Sequence, residues 1–160
     1  MSARHGHEAT IELLLDRGAD IKASDSGRQT ALHMSAWNGH EATIELLLDR
    51  GADIEASDSG RQTALHISTR HGHEATVELL LDRGADIEAS DSGRRTALHM
   101  SAWNEHEATI ELLLDRGADI EASDSGGLTP LHTAAVGSHH AAIMLLFDRG
   151  ARIYSWGSGG

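Results

Sequence analysis

The chain has 160 residues, with 25 acidic against 13 basic, a formal net charge of −12 and no cysteine. That balance argues against a nucleic-acid backbone as partner, which needs clustered Lys and Arg, and it favours solubility and a basic partner. The missing thiols exclude a disulfide framework and thiolate chemistry.

No apolar run approaches the ~20 residues of a membrane helix, and Met1 to His7 lack the apolar core of a signal peptide. No membrane partner is expected, and the cysteine-free composition fits an intracellular, cytoplasmic protein. Aromatic residues make up 3% of the chain, so the core has to be built from Leu, Ile and Ala.

The string Asp-Arg-Gly-Ala recurs with its glycine at Gly18, Gly51, Gly84, Gly117 and Gly150, a constant spacing of 33 residues. Read in chain order, a partial unit spans 1–24, three near-identical units span 25–57, 58–90 and 91–123, and a diverged unit spans 124–156. The tail 157–160 reads as flexible.

The first full unit sets the pattern. Thr30 is placed to cap a short helix over Ala31 to Asn38, with Leu32, Ser35 and Ala36 on its buried side. Gly39 ends it in a left-handed turn. A second helix runs from Glu41 to Arg50, with Ile44, Leu47 and Leu48 on one face. Glu41 and Arg50 complement the two ends of its dipole. The stretch Ala52 to Gln62 is extended, with the turn signal Asp58-Ser59-Gly60 near its tip. One such unit cannot bury its apolar face alone, whereas stacked copies can.

Thr30-Ala31-Leu32-His33, Gly39-His40 and Leu46-Leu47-Leu48-Asp49-Arg50-Gly51-Ala52-Asp53 resemble the ankyrin repeat, and Thr129-Pro130-Leu131-His132 matches the family's best-known tetrapeptide in full. The resemblance covers residues 1 to about 154. It implies an all-α solenoid of stacked helix-turn-helix units with short β-hairpin fingers, a curved array that binds proteins and does no catalysis. Two departures stand out. Arg28, Arg61 and Arg94 occupy a position that is usually glycine, with Gly27, Gly60 and Gly93 one step earlier. Three units also carry alanine in place of the proline. The near-identity of the copies is similar to amplified arrays of fungal NOD-like receptors and to designed ankyrin-repeat proteins.

The copies differ chiefly at the end of the first helix. Units 25–57 and 58–90 diverge at Met34/Ile67, Ala36/Thr69, Trp37/Arg70, Asn38/His71 and Ile44/Val77, whereas units 25–57 and 91–123 differ at Gln29/Arg95 and Gly39/Glu105. In the ankyrin family the last two positions of the first helix, matched here by Arg4-His5, Trp37-Asn38, Arg70-His71, Trp103-Asn104 and Val136-Gly137, face the concave groove. The resemblance therefore implies a partner-binding set of Arg4, His5, Met34, Trp37, Asn38, Ile67, Arg70, His71, Met100, Trp103 and Asn104. Trp and Arg commonly carry interface energy. The competing reading is drift at exposed positions, or duplication of a two-unit block. The finger residues Asp25-Ser26-Gly27-Arg28 and their copies read as turn chemistry with a solvated salt-bridge row.

The recurring His33 and His40, with His66/His73, His99/His106 and His132/His139, do not form a zinc site. Such a site needs three or four converging ligands, and a 33-residue period spreads them apart. The family resemblance gives the first of each pair a bond between units and the second a role supporting the loop between helices. No Ser/His/Asp set recurs in a setting that activates a nucleophile. The Gly-rich tail lacks the lysine and flanking elements of a phosphate loop. No metal, cofactor or catalytic residue is expected. The carboxylates Glu45, Asp49, Glu78, Asp82, Glu111 and Asp115 read as a solvated face.

Neither end carries a polar cap. The partial first unit lacks the Thr-Ala-Leu-His segment, while the last unit places Met144, Phe147, Tyr154 and Trp156 where Glu45, Leu48, Glu55 and Ser57 stand earlier. The expectation is a non-catalytic interaction scaffold cut from a longer protein. The alternative is a structural module that associates end to end.

Overall fold

Thr30, Thr63, Thr96 and Thr129 each hold an extended backbone immediately before a helix, with φ between −92° and −85°. The N–H of each donates to Nδ1 of the histidine three residues later, at 3.1 Å for Thr30 and His33. A backbone donor at the helix start thereby gains a partner. These four starts organise the computed structural model, which describes residues 2–153, with side chains from Glu8 onward. Tyr154, Trp156, the tail and the side chains of Arg4 and His5 lie outside the described residues.

Among the described residues the helices are α1 (Ser2–Asp16), α2 (Ala31–Asn38), α3 (Glu41–Asp49), α4 (Ala64–Arg70), α5 (Glu74–Asp82), α6 (Ala97–Trp103), α7 (Glu107–Asp115), α8 (Pro130–Val136) and α9 (His140–Asp148). The even-numbered helices pack in series as one row, the odd-numbered ones as a second, and each helix pair closes one unit. The second helix stops at Asp49, one residue short of expectation, with Arg50 as its cap. Gly39 closes α2 in the left-handed region at φ 66°. None of these helices is long and apolar enough to cross a membrane.

The core forms where the two rows meet. Leu32, Ile44 and Leu47 are buried, as are Leu65, Val77 and Leu80 and then Leu98, Ile110 and Leu113. Each such side chain contributes about 1.5–3 kcal/mol of burial. Leu48 is only half-buried, at the edge of the face it was expected to share.

The expected β-hairpin fingers reduce to tight turns, with an isolated antiparallel bridge between Ser24 and Thr30. At each tip the chain reverses over three residues. The Arg28 N–H donates to the Asp25 carbonyl, the Asp25 N–H to the Gln29 carbonyl, and Asp25 Oδ1 accepts from the N–H groups of Gly27 and Gln29. Such a turn places its last residue in the left-handed region. Arg28, Arg61 and Arg94 hold that place at φ 61°, 59° and 59°, and Gly127 holds it in the last unit. The absence of glycine from the usual position therefore leaves the tip geometry unchanged.

Neighbouring units are joined by a repeating set of bonds. His33 Nδ1 accepts from Thr30, so its Nε2 carries the proton and donates to the Gln62 carbonyl at 3.0 Å. His66 and His99 repeat this onto Arg95 and Leu128. The N–H of Ser59 donates to the Gly27 carbonyl, finger to finger, and Ser92 and Ser125 do the same to Gly60 and Gly93. Glu55 and Glu88 accept the N–H groups of Asp86 and Asp119. On the second-helix row, Arg116 pairs with Asp82 at 2.7 Å and Glu78 at 2.9 Å in the unit before, and Arg50, Arg83 and Arg149 repeat the pattern. The carboxylates read as a solvated face are thus rungs of an inter-unit ladder.

Candidate protein-binding surface

Position within a first helix decides which way a side chain faces. Ala31 and Met34 are exposed in α2, but the equivalent Ala64 and Ile67, Ala97 and Met100, and Pro130 and Thr133 are buried. These positions face the preceding first helix, and among the described residues no separate first helix precedes α2. Ile67 and Met100, at 2% and 4% exposure, are therefore packed between units. This corrects their expected place in the partner-binding set. Met34 remains accessible at 50%.

The last residues of the helices behave differently. Trp37 and Trp103 are 48% and 50% exposed, and Arg70 is half-buried between them. Burying either indole fully would remove more apolar area from water than most core side chains do, yet both rings stay out. Their neighbours prop them. The Trp37 ring lies 4.2 Å, centroid to centroid, from His71, and Trp103 meets His139 edge-on at 6.5 Å. Burial pushes the His71 imidazole below its usual pKa, helped by the nearby His73, Arg70 and His106, which favours the neutral form of the ring beside Trp37.

Asn38 and Asn104 are committed locally, since the Nδ2 of each donates to a carbonyl of its own helix, at Met34 and Met100, at 2.8 Å. Arg70 is freer. Its guanidinium Nη2 lies 4.0 Å from the Met100 sulfur and pairs with no carboxylate among the described residues. Beside it opens a cleft of about 340 Å³ lined by Arg70, Met100, Trp103, Leu128 and Val136, with Arg95 and Asp124 at its side. Leu128 and Val136 were absent from the expected set. Their signal was the divergence of the last unit, where Leu128 stands in line with Gln29, Gln62 and Arg95.

The second histidine of each pair also differs from expectation. His73 Nε2 donates to the Trp37 carbonyl at 2.9 Å and His106 Nε2 to the Arg70 carbonyl at 3.0 Å. These rings reach across to the preceding first helix rather than supporting only their own loop, so they fasten the backbone beneath the exposed row. Among the described residues no three His, Asp or Glu side chains gather as metal ligands.

The row offers apolar area from two tryptophans and Met34, the Arg70 guanidinium, which meets no carboxylate among the described residues, and a cleft between units. It can take an apolar side chain and a carboxylate or carbonyl from a partner. A family model described as ankyrin repeats (3 copies) matches residues 1–58, 55–124 and 88–155. No curated protein matches the chain.

Proposed function

This chain belongs to the ankyrin-repeat family, whose members are generally protein-interaction modules and typically non-catalytic, and we propose that it is the recognition segment of a larger intracellular, cytoplasmic protein, binding its partner along the concave first-helix row. The observation that carries this reading is the pair of half-exposed tryptophans, Trp37 and Trp103, at equivalent positions on either side of Arg70. Aromatic and arginine side chains in such clusters dominate binding energy at protein interfaces. An interface spanning several units reaches the ~800 Å² per side of a specific complex.

The test is affinity capture from a eukaryotic extract, with this chain beside the Trp37→Ala/Arg70→Ala/Trp103→Ala variant. The variant keeps its circular-dichroism spectrum and loses a protein that the parent captures. Equal capture by both chains overturns the reading.

A second reading, end-to-end self-association, is favoured by the apolar face of α8 and α9. Exposed Met144, Phe147 and Ile153 surround a cleft of about 390 Å³ there, lined also by Leu131, Ala135 and Ile143. Sedimentation velocity distinguishes the two: a strict monomer at high concentration removes this second reading.

A further inference from the structure

Three of the finger tips hold out an arginine, although the chain as a whole is acidic. Arg28, Arg61 and Arg94 are exposed, and none forms an ion pair or a side-chain hydrogen bond among the described residues. The acids nearest in sequence are turned to local use. Asp25, Asp58 and Asp91 each direct Oδ1 at the amides of their own tip, and Asp91 also binds Arg95. Elsewhere, many of the carboxylates stand on the second-helix ladder.

All three arginines also sit at positive φ, where a residue with a Cβ is disfavoured by roughly 1–2 kcal/mol. Gly127 makes the same turn without that cost. Strain retained at one place is a pointer to use.

We propose that Arg28, Arg61 and Arg94 grip an acidic, extended segment of a protein partner, one carboxylate per tip at every third residue. The inference rests on the interaction-module reading above and assigns to it a second contact surface. Register follows from the fingers themselves. Each is two chains wide and is hydrogen-bonded to the next through Ser59 and Gly27 or Ser92 and Gly60. Two strand spacings of ~4.8 Å put successive tips roughly 10 Å apart. A polyproline-II segment advances about 9.3 Å per three-residue turn, returning every third side chain to one face. An arginine fork takes a carboxylate through two parallel N–H bonds. The chain's overall negative charge does not oppose this at contact range, because screening cuts exposed charges off beyond ~8 Å at physiological ionic strength. It does oppose a long polyanion, so the occupant is a short acidic stretch of protein rather than nucleic acid.

The test uses the full chain and two fluorescein-labelled nonapeptides of equal composition, one repeating Asp-Pro-Ala and one with its three Asp residues adjacent. Fluorescence anisotropy at physiological salt reads binding. The spaced peptide binds more tightly than the clustered one, and the Arg28→Gly/Arg61→Gly/Arg94→Gly variant weakens it by about tenfold. Glycine keeps the left-handed turn, and an unchanged circular-dichroism spectrum verifies that the variant is folded. Binding survives Trp37→Ala/Arg70→Ala/Trp103→Ala, which separates failure at the tips from failure of the helix row. The proposal is overturned by equal affinity of the glycine variant, by no saturable binding, by no preference between the two peptides, or by a single-stranded oligonucleotide binding as tightly.

Discussion

His73 Nε2 donates to the carbonyl oxygen of Trp37 at 2.9 Å, across 36 residues of sequence. The bond requires a glycine beneath the ring, because a Cβ on Gly39 would lie 2.8 Å from His73 Nδ1. Gly72 stands in the same relation to His106. In the third full unit this place is Glu105, at φ 56°, and His139 leaves the Trp103 carbonyl to lie 3.5 Å from Glu105 Oε2. One substitution thus exchanges a backbone tether for a side-chain pair directly below Trp103.

Gly72→Ala combines a left-handed backbone with overlap of the His106 ring, and it lowers stability by about 2 kcal/mol. Glu105→Gly restores the room for His139 to bond the Trp103 carbonyl, relieves the strained φ and raises the melting temperature. Thermal denaturation followed by circular dichroism reads both changes. An unchanged melting point for Gly72→Ala contradicts the account of the close approach.

Acid destabilises the array before it protonates carboxylates. Burial pushes His66 and His99 below their usual value, more than the bonds to the Arg95 and Leu128 carbonyls restore it. The unfolded chain therefore binds these protons more readily than the folded one. The stability given by the neutral rings is complete above pH ~6.5 and is lost as pH falls towards and through the folded values. Stability, and with it the melting temperature, falls between pH 7.5 and 5.5, by at most about 1.4 kcal/mol per pH unit for each histidine. His66→Gln lowers stability at pH 7.5 and flattens this slope. An equal slope in the variant removes His66 from the explanation.

Asp91 is the most buried finger carboxylate at 1% exposure. Burial alone would raise its pKa. The side-chain bonds from Arg95 at 3.0 and 2.7 Å, with the N–H groups of Arg95 and Gly93, reverse that and bring it below the usual range. Asp91→Ala leaves both amides without their acceptor and costs about 2–3 kcal/mol in urea unfolding. Arg95→Gln costs less than ~1 kcal/mol, since Asp58 makes the same turn with Gln62.

The ladder arginines matter less than their regularity implies. Arg116 bonds two carboxylates, but its side chain is 33% exposed and theirs more so. Arg116→Ala lowers stability by less than ~1 kcal/mol, and the difference shrinks in 1 M salt. A larger, salt-independent loss would locate the effect in packing of the arginine stem.

The fold was legible because its signals are local and repeat. Thr30 before Ala31, Gly39 after Asn38 and the i, i+3 spacing of Ile44 and Leu47 each report on one turn of chain, and α2 matches its expected limits. The surface was only half legible. Trp37 and Trp103 were placed on the exposed row because the family resemblance turns the end of the first helix towards the groove, and arginine replaces them in one copy. Ile67 and Met100 varied too, but an apolar-for-apolar change carries no information on exposure, and only the neighbouring helix shows that they are packed. The Arg–carboxylate ladder escaped notice because its partners sit 34 and 38 residues apart, one and five residues off the repeat period. Pattern reading within one helix does not join them.

Every bond that joins the units spans a similar length of chain: 29 residues from His33 to Gln62, 36 from His73 to Trp37 and 38 from Arg116 to Glu78. None of these skips over a neighbour. Excising residues 58–90 would therefore set Gly39 against His106 and His33 against the Arg95 carbonyl, rebuilding the same joints with one fewer. It would also bring Trp37 beside Trp103 and erase Arg70. The joints and the exposed row are written in different letters of the same 33-residue word, so gene-level gain or loss of a word rewrites what the molecule presents without rewriting how it holds together.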